Sequence, residues 1–181
     1  CRAQPKGSTM QATSPDWTIR PETAADADGI RAVTVAAFPS PEEADLVEAL
    51  RADSAAWIDG LSYVAEVDGT IIGHALLTRC HVNGTESLAL APCSVAPEHQ
   101  RTGVGTAVIR QLLDAARDRG EASVIVLGHA DYYPRFGFVP ASRYGVTASF
   151  AAPDEAFMAL SLGDGRSVPA GTIAYPPAFG V

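Results

Sequence analysis

The stretch Gln100-Arg101-Thr102-Gly103-Val104-Gly105 decides the fold, because it lies where a strand gives way to a helix. Residues 106–119 carry apolar side chains at helical spacing and end at Gly120, which is typical of an amphipathic helix. The first backbone N–H groups of such a helix lack internal partners, and the helix dipole favours an anion there. Glycine lets the backbone approach a phosphate, and Arg101 can add a charge-assisted contact. The stretch therefore predicts a site for a phosphorylated ligand.

Two other phosphate-binding motifs do not fit this stretch. A P-loop needs the pattern G-x-x-x-x-G-K-[ST], which the sequence does not contain. A dinucleotide fingerprint needs G-x-G-x-x-G/A; Gly103 and Gly105 fit it, but Val108 stands at the third position. The predicted strands before the stretch are antiparallel, whereas the fingerprint requires a parallel βαβ unit. A loop whose glycines only ease the start of the helix is the plainer alternative.

The turn chemistry upstream predicts an antiparallel meander. Asp68-Gly69 and Asn83-Gly84 separate three runs of strand-forming residues, and both dipeptides favour two-residue hairpin turns. If both turns have two residues, Tyr63, His74 and Cys93 fall in one row across the three strands.

Pro92 is expected to disturb that register, because proline cannot donate a hydrogen bond to a neighbouring strand. Elsewhere the spacing of apolar residues and turn formers predicts the remaining elements. In chain order they are a strand at 17–21, helices within 23–38 and 40–50, strands at 124–127, 138–139 and 157–162, a short helix within 131–136, and a tail from 167 lying along the surface.

These residues resemble a known family. Val95-x-Pro97-x-x-Gln100-Arg101-x-Gly103-Val104-Gly105 is similar to the acetyl-CoA motif of the GNAT N-acetyltransferase superfamily, and the order of elements from 17 to 162 also matches. Tyr133-x-x-x-Gly137-Phe138 resembles the second landmark of that family. The block Tyr132-Tyr-Pro-Arg-Phe-Gly-Phe138 and the closing residues 171–175 resemble a subgroup of largely uncharacterised bacterial members.

The resemblance implies an α/β (α+β) fold, with a mixed, mostly antiparallel sheet that splays at the fourth strand and is flanked by helices. It implies one domain over 17–181. The polar composition of residues 1–16, rich in Ser, Thr, Pro and Gln, predicts a disordered lead, in which Met10 is a candidate native start and the origin of residues 1–9 stays open. Acetyl-CoA is the implied co-substrate, with its pantetheine arm on the fourth-strand backbone and its pyrophosphate on the turn before the long helix. The implied cofactor-binding residues are Ser94, Val95, Ala96, Gln100, Arg101, Thr102, Gly103, Val104, Gly105 and Thr106.

The implied reaction is direct attack of an amine on the acetyl thioester. A backbone N–H near Val95 would stabilise the oxyanion, and Tyr133 would be the catalytic residue that hydrogen-bonds the departing thiolate. Many relatives carry a glutamate on the fourth strand, but residues 88–95 contain no acid. A covalent acetyl-cysteine route through Cys93 is an alternative. The candidates for the base are His74, Cys93, His129, Glu86, Asp131 or a water molecule.

Composition narrows the class of protein. The 181 residues carry a formal net charge of −8, which argues against a nucleic-acid binder. No apolar run reaches the length of a membrane span, and no cysteine or histidine spacing predicts a metal site. Three cysteines cannot make a disulfide framework, so we expect reduced thiols in a cytoplasm, and the resemblance implies a bacterial one. The resemblance also implies an amine-bearing small molecule or peptide as the acceptor. A homodimer stays open. The alternative function is a non-catalytic sensor or regulatory module that binds acyl-CoA.

Overall fold

The computed structural model describes residues 17–163 and 168–180. Its strands form a mixed sheet. Its main path is β1-β2-β3-β4-β6-β9-β7, and neighbours are antiparallel except for the parallel pair β4–β6. The elements are β1 (Thr18–Pro21), α1 (Ala27–Ala37), α2 (Glu42–Ala52), β2 (Ser62–Val67), β3 (Thr70–Val82), β4 (Thr85–Leu90), β5 (Ser94–Val95), α3 (Val104–Asp118), β6 (Ser123–Leu127), β7 (Val139–Pro140), β8 (Val146–Thr147), β9 (Phe157–Ser161) and β10 (Gly171–Ala174).

Helices cover both faces of this sheet. Neighbouring residues of a strand point to opposite faces, and β3 shows this clearly. Leu76 packs in one buried cluster with residues of α1 and α2, whereas Leu77 packs in another with the apolar stripe of α3. The helix α3 begins two residues before the predicted helix, and Gly120 follows it with a left-handed φ of +78°. The expected layered arrangement is confirmed.

Both hairpin turns are confirmed, but the predicted row of residues is wrong. Backbone φ is positive at Asp68, Gly69, Asn83 and Gly84, as the predicted two-residue turns require. The β3–β4 register then stays regular from Val82↔Thr85 to Leu77↔Leu90. In the β2–β3 pair the register shifts between Ala65 and Glu66.

The shift is a β-bulge, which adds one residue to β3 and carries every later pair out of the expected alignment. Tyr63 therefore lies opposite Ala75, and His74 lies opposite Val64 on one side and Ser94 on the other. Tyr63, His74 and Cys93 do not form a row.

A second irregularity interrupts the fourth strand of the meander at Pro92. The Ala91 N–H donates to the Leu76 carbonyl at 3.0 Å, and Ser94 pairs with His74. Pro92 and Cys93 thus both stand opposite Ala75, which is a bulge of two residues against one. The parallel β4–β6 pairing covers Leu88 and Ala89, after which the chain continues as β5 paired with β3. The sheet therefore splays at the fourth strand, as expected.

The C-terminal segment does not simply lie along the surface, as was predicted. Gly171–Ala174 forms β10, which pairs antiparallel with the far end of β3 and parallel with β8. The driving residue is Ile173, which is buried at 2% exposure in a cluster with Val82 and Val146. This docking carries Tyr175 and Phe179 to the open side of the splayed sheet.

Predictions made for residues 1–16 and for 164–167 and 181 lie outside the described residues. Within 17–163 and 168–180, no helix is long and apolar enough to span a bilayer.

Candidate functional site

A cavity of about 700 Å³ lies at the N-terminus of α3, beside the splayed strands. We call it the glycine cleft, because Gly103 and Gly105 form part of its wall. It brings together residues from β5, the turn before α3 and the segment after β6. The predicted site residues that line it are Val95, Gln100, Arg101, Gly103, Val104, Gly105, Thr106 and Tyr133.

The turn before α3 presents its backbone to this cleft. Gly103 caps the helix with a left-handed φ of +92°, and Arg101 also has a positive φ of +64°. The first hydrogen bond of the helix ladder runs from the Ala107 N–H to the Gly103 carbonyl at 3.0 Å. The amides just before Ala107 therefore have no acceptor within the helix and are available to a phosphate. A Cβ built on Gly103 meets no atom within 4 Å, so the space above this residue is open.

One residue of β5, Val95, directs its backbone N–H and C=O groups toward the cleft. Ser94 pairs with His74, and the Ala96 N–H donates to the Ile72 carbonyl at 2.8 Å, so both amides face β3. Because amides alternate along an antiparallel strand, the N–H and C=O of Val95 face the opposite way, toward the gap of the splayed sheet. The Val95 carbonyl accepts a hydrogen bond from the Gln100 side chain at 3.1 Å.

Three predicted cofactor-binding residues do not line the cleft. The Ser94 hydroxyl is buried and donates to the Thr34 hydroxyl at 3.2 Å. Ala96 is buried, and the Thr102 hydroxyl donates to the His99 carbonyl. Any contact of these residues with a ligand in the cleft would have to come from their backbone.

The ring of Tyr133 is held tightly at the inner end of the cleft. It lies so close over Gly128 that a Cβ there would come within 2.3 Å of the Tyr133 Cε2 atom. The ring also packs edge-on against Phe138, with centroids 5.8 Å apart. Burial raises the pKa of the Tyr133 phenol above its ordinary value. Among the described residues the hydroxyl has no hydrogen-bond partner, so it is a protonated donor available to a ligand.

Tyr132 also lines the glycine cleft, beside Tyr133. Its hydroxyl is hydrogen-bonded to the Thr106 hydroxyl at 3.0 Å, which ties the segment after β6 to the start of α3. The Arg135 guanidinium stacks on the other side of the ring, 4.2 Å from the centroid. The two adjacent phenols therefore differ: the hydroxyl of Tyr132 is hydrogen-bonded to another side chain, whereas that of Tyr133 has no such partner among the described residues.

A second cavity, of about 640 Å³, meets the first at Tyr133. Phe38, Cys93, His129 and Tyr133 line both cavities. We call the second one the aromatic chamber. Its defining residues are Phe38, Glu43, Tyr133, Phe150, Tyr175 and Phe179.

The sequence as a whole can now be placed among known proteins. The sequence profile of the acetyltransferase (GNAT) family matches residues 28–138, from the first turn of α1 to the residues just beyond Tyr133. The chain belongs to the GNAT family. It is an acyltransferase.

Three relatives of this GNAT acetyltransferase illustrate the match. The uncharacterised N-acetyltransferase YjhQ of Escherichia coli K12 is 42% identical over 135 residues, which are 72% of this chain and 74% of YjhQ. The structure of E. coli YhbS in complex with CoA has a TM-score of 0.84 and 29% identity, covering 94% of this chain and 97% of YhbS. A GNAT family acetyltransferase from Brucella melitensis in complex with acetyl-CoA has a TM-score of 0.74 and 35% identity, covering 90% of this chain and 97% of that one.

The structure separates the candidates for the base in this acetyltransferase. His74 is fully buried, its Nε2 lies 2.8 Å from the Ser62 hydroxyl, and burial lowers its pKa to about 3. It is a core residue with no access to either cavity. Glu86 lies near the Asn83-Gly84 turn, opposite His81, and Asp131 is exposed; neither lines a cavity. His129 lines both cavities, as does Cys93.

Cys93 is poorly suited to nucleophilic attack. Burial raises the pKa of its thiol to about 12, so the reactive thiolate is scarce at neutral pH. No hydrogen bond to the sulfur and no cation stabilises the thiolate among the described residues, and burial is the sole cause of the shift. The geometry favours a small apolar wall residue over a covalent intermediate.

We therefore expect Cys93→Ala to keep kcat within about threefold of the wild type. Proximity of amine and thioester supplies much of the rate in a site of this kind, and that geometry does not depend on the sulfur. Steady-state thiol release measures the effect, and Cys93→Ser controls for the lost volume. An acetylated Cys93 trapped by mass spectrometry, together with an inactive Cys93→Ala variant, would establish the covalent route instead.

The sequence reasoning missed Glu43 and the aromatic residues of the chamber. Glu43 lies in the first turn of α2 beside two other acids, where acidic residues are common because of the helix dipole. Phe150 and Phe179 belong to segments without a recognisable motif, and Tyr175 was noted only within the subgroup resemblance of residues 171–175, not as a site residue. No group of three or more His, Cys, Asp or Glu side chains in the described part of the chain could hold a metal ion.

Proposed function

We propose that this protein is an acetyl-CoA-dependent N-acetyltransferase that transfers the acetyl group by direct attack of an amine. One observation carries the proposal: Tyr133, with Cys93 and His129, lines both the glycine cleft and the aromatic chamber. A thioester reaching Tyr133 through the cleft and an amine reaching it through the chamber would meet at this ring.

The cleft supports the cofactor half of the proposal. In the proposed complex the pyrophosphate lies on the amides of the turn 100–106, and the pantetheine arm follows the backbone of β5 at Val95. The proposed cofactor-binding residues are Ser94, Val95, Ala96, Gln100, Arg101, Thr102, Gly103, Val104, Gly105 and Thr106. The complexes of YhbS with CoA and of the Brucella relative with acetyl-CoA support this choice of ligand.

The proposed reaction has two bond changes. The lone pair of the neutral amine forms a bond to the carbonyl carbon, and the carbonyl electrons move to oxygen, where the Val95 N–H stabilises the charge. The tetrahedral centre then collapses, the carbon–sulfur bond breaks, and the sulfur leaves with its electron pair. The amine loses one proton to solvent, and the thiolate receives one.

Tyr133 is proposed as the catalytic residue that assists the leaving sulfur. An ordinary phenol has a pKa about 1.5 units above that of a thiol, so complete transfer of its proton costs about 2 kcal/mol. Burial raises the pKa of Tyr133 further, which keeps the proton on oxygen. We therefore propose that Tyr133 donates a hydrogen bond to the thiolate, strengthened by the dry surroundings, without necessarily giving up its proton.

Two measurements test the function. Isothermal titration calorimetry should show binding of acetyl-CoA, and a thiol-release assay over a panel of amines should then show turnover. Absence of acetyl-CoA binding would overturn the proposal. Binding without thiol release from any amine would replace it with the alternative of a non-catalytic acyl-CoA-binding sensor.

Four further predictions from the sequence remain part of the proposal. They are a single domain over 17–181, a cytoplasmic location, a function without nucleic acid or membranes, and the likeness of residues 132–138 to a bacterial subgroup.

A further inference from the structure

The residues that line the aromatic chamber indicate which kind of acceptor would bind there. The inference drawn from them rests on the proposed function. Its wall is strongly apolar: Phe150 and Tyr175 have ring centroids 6.0 Å apart, and Tyr175 and Phe179 have centroids 4.8 Å apart. Phe38 closes the side next to the glycine cleft. A cavity with such walls favours a ligand with an aromatic or aliphatic body, because burial of apolar surface supplies the binding free energy.

Glu43 is the acidic side chain among the residues that line this chamber. Its Oε2 atom is buried and has no hydrogen-bond donor among the described residues. A buried carboxylate oxygen is costly without a partner, which is why such groups in native proteins are paired. Among the described residues that line the chamber there is no lysine or arginine, and the basic side chain among them, His129, makes no ion pair with Glu43.

Other carboxylates of the fold show the usual behaviour. Glu121 receives two hydrogen bonds from Arg79, at 2.7 and 3.0 Å. Glu22 also has one buried oxygen without a partner, but its second oxygen is bonded to Arg51 at 2.9 Å. Glu43 thus differs in having no ion-pair partner among the described residues, and the partner that suits it is a cation brought by a ligand.

We infer that the acceptor is a primary amine on a short aromatic or aliphatic body, with no carboxylate next to the nitrogen. Its ammonium form binds between Glu43 and the faces of the chamber's rings, which attract cations. An α-carboxylate on the ligand would lie close to Glu43 in the same apolar space and be repelled. The acceptor class is therefore arylalkylamines and alkylamines, as opposed to free amino acids.

Glu43 acts in this scheme by holding the amine. The ammonium proton leaves to solvent before attack, as in the proposed reaction, and Glu43 sets the position and affinity of the nitrogen. Loss of Glu43 should raise the KM for the amine much more than it lowers kcat.

The test uses 2-phenylethylamine and L-phenylalanine, which share a ring and differ by the α-carboxylate. We expect kcat/KM for 2-phenylethylamine to exceed that for phenylalanine by about 100-fold or more. Glu43→Gln should raise the KM for 2-phenylethylamine by about tenfold or more and leave the KM for acetyl-CoA within about twofold. The matched control is Glu42→Gln, which makes the same change of charge one residue away on the same helical turn, at an exposed position that does not line the chamber.

A binding measurement separates this inference from the proposed function. Calorimetric titration of 2-phenylethylamine into the CoA-saturated protein should give a Kd that rises with Glu43→Gln and not with Glu42→Gln. If acetyl-CoA binds and amino acids or polar amines are turned over as well as 2-phenylethylamine, the inference is wrong and the proposed function stands. Equal effects of the two glutamine variants, or no binding of 2-phenylethylamine by the CoA-saturated wild type, would also overturn it. Failure of acetyl-CoA itself to bind would overturn the proposed function.

Discussion

Changing Tyr133 to phenylalanine is expected to lower kcat about 100-fold or more, which lies within the usual range for a positioned proton donor. The hydroxyl has no protein partner among the described residues, and the ring is clamped by Gly128 and Phe138, so Tyr133→Phe removes a donor without moving the ring. The KM for acetyl-CoA should change little, because its ground-state contacts are assigned to the backbone of the turn 100–106. Thiol release under conditions where chemistry limits the rate measures the effect.

Tyr132→Phe is the matched control for this experiment. It removes the same atom from the same cleft, but that hydroxyl is hydrogen-bonded to Thr106. The expected cost is therefore the free energy of one ordinary hydrogen bond, about 1 kcal/mol. Burial raises the pKa of Tyr133, so the wild-type phenol stays protonated and kcat should not fall from its ionisation below about pH 10. Full kcat in Tyr133→Phe would assign this ring to packing alone.

The features predicted from the sequence are those set by local chemistry. Asp68-Gly69 and Asn83-Gly84 determine their turns because few residues adopt positive φ readily, and the surrounding chain has little influence. The glycine cleft follows in the same way, since a strand, a glycine-bearing turn and an amphipathic helix are adjacent in the chain. Tyr133 was found through its resemblance to a family landmark, and the structure places it at the inner end of that cleft.

The features that could not be predicted depend on residues added within strands or on distant segments. The bulge in β3 near Ile72 leaves only a weak mark in the sequence, because a glycine inside a strand, here Gly73, is compatible with a bulge without requiring one. That single extra residue put Tyr63 out of line with His74, and the bulge at Pro92 put Cys93 out of line with it. Pro92 did mark the second bulge, but proline alone does not say how many residues are displaced.

The aromatic chamber escaped prediction for a different reason. Its wall combines the end of α1, the start of α2, the loop before β9 and the segment after β10. The last of these parts reaches the others through the docking of β10 on β3, a long-range pairing in which Ile173 is buried. No spacing within any one segment reports that Glu43 and Tyr175 share a cavity. The base of the reaction was left open because residues 88–95 contain no acid.

Changing Gly103 to valine should weaken acetyl-CoA binding by far more than tenfold, a loss above about 1.4 kcal/mol. Two causes act together. The φ of +92° disfavours any residue with a Cβ, by about 1–2 kcal/mol for the left-handed region. The added side chain also points into open space beside the helix N-terminus, where we place the pyrophosphate. Calorimetric titration of acetyl-CoA into the folded variant measures the change in Kd.

Gly120→Val separates these two causes on the same helix. Gly120 follows the last turn of α3 with a φ of +78°, and a Cβ built on it also meets no atom within 4 Å. The two substitutions thus introduce similar backbone strain, but only Gly103 lies in the glycine cleft. If strain alone mattered, both variants would lose stability to a similar extent and bind acetyl-CoA alike. We expect Gly120→Val to keep the wild-type Kd while Gly103→Val loses it, because the phosphate site requires both the open backbone at residue 103 and the unpartnered amides that follow it. Wild-type affinity in a folded Gly103→Val protein would remove the turn from the binding site.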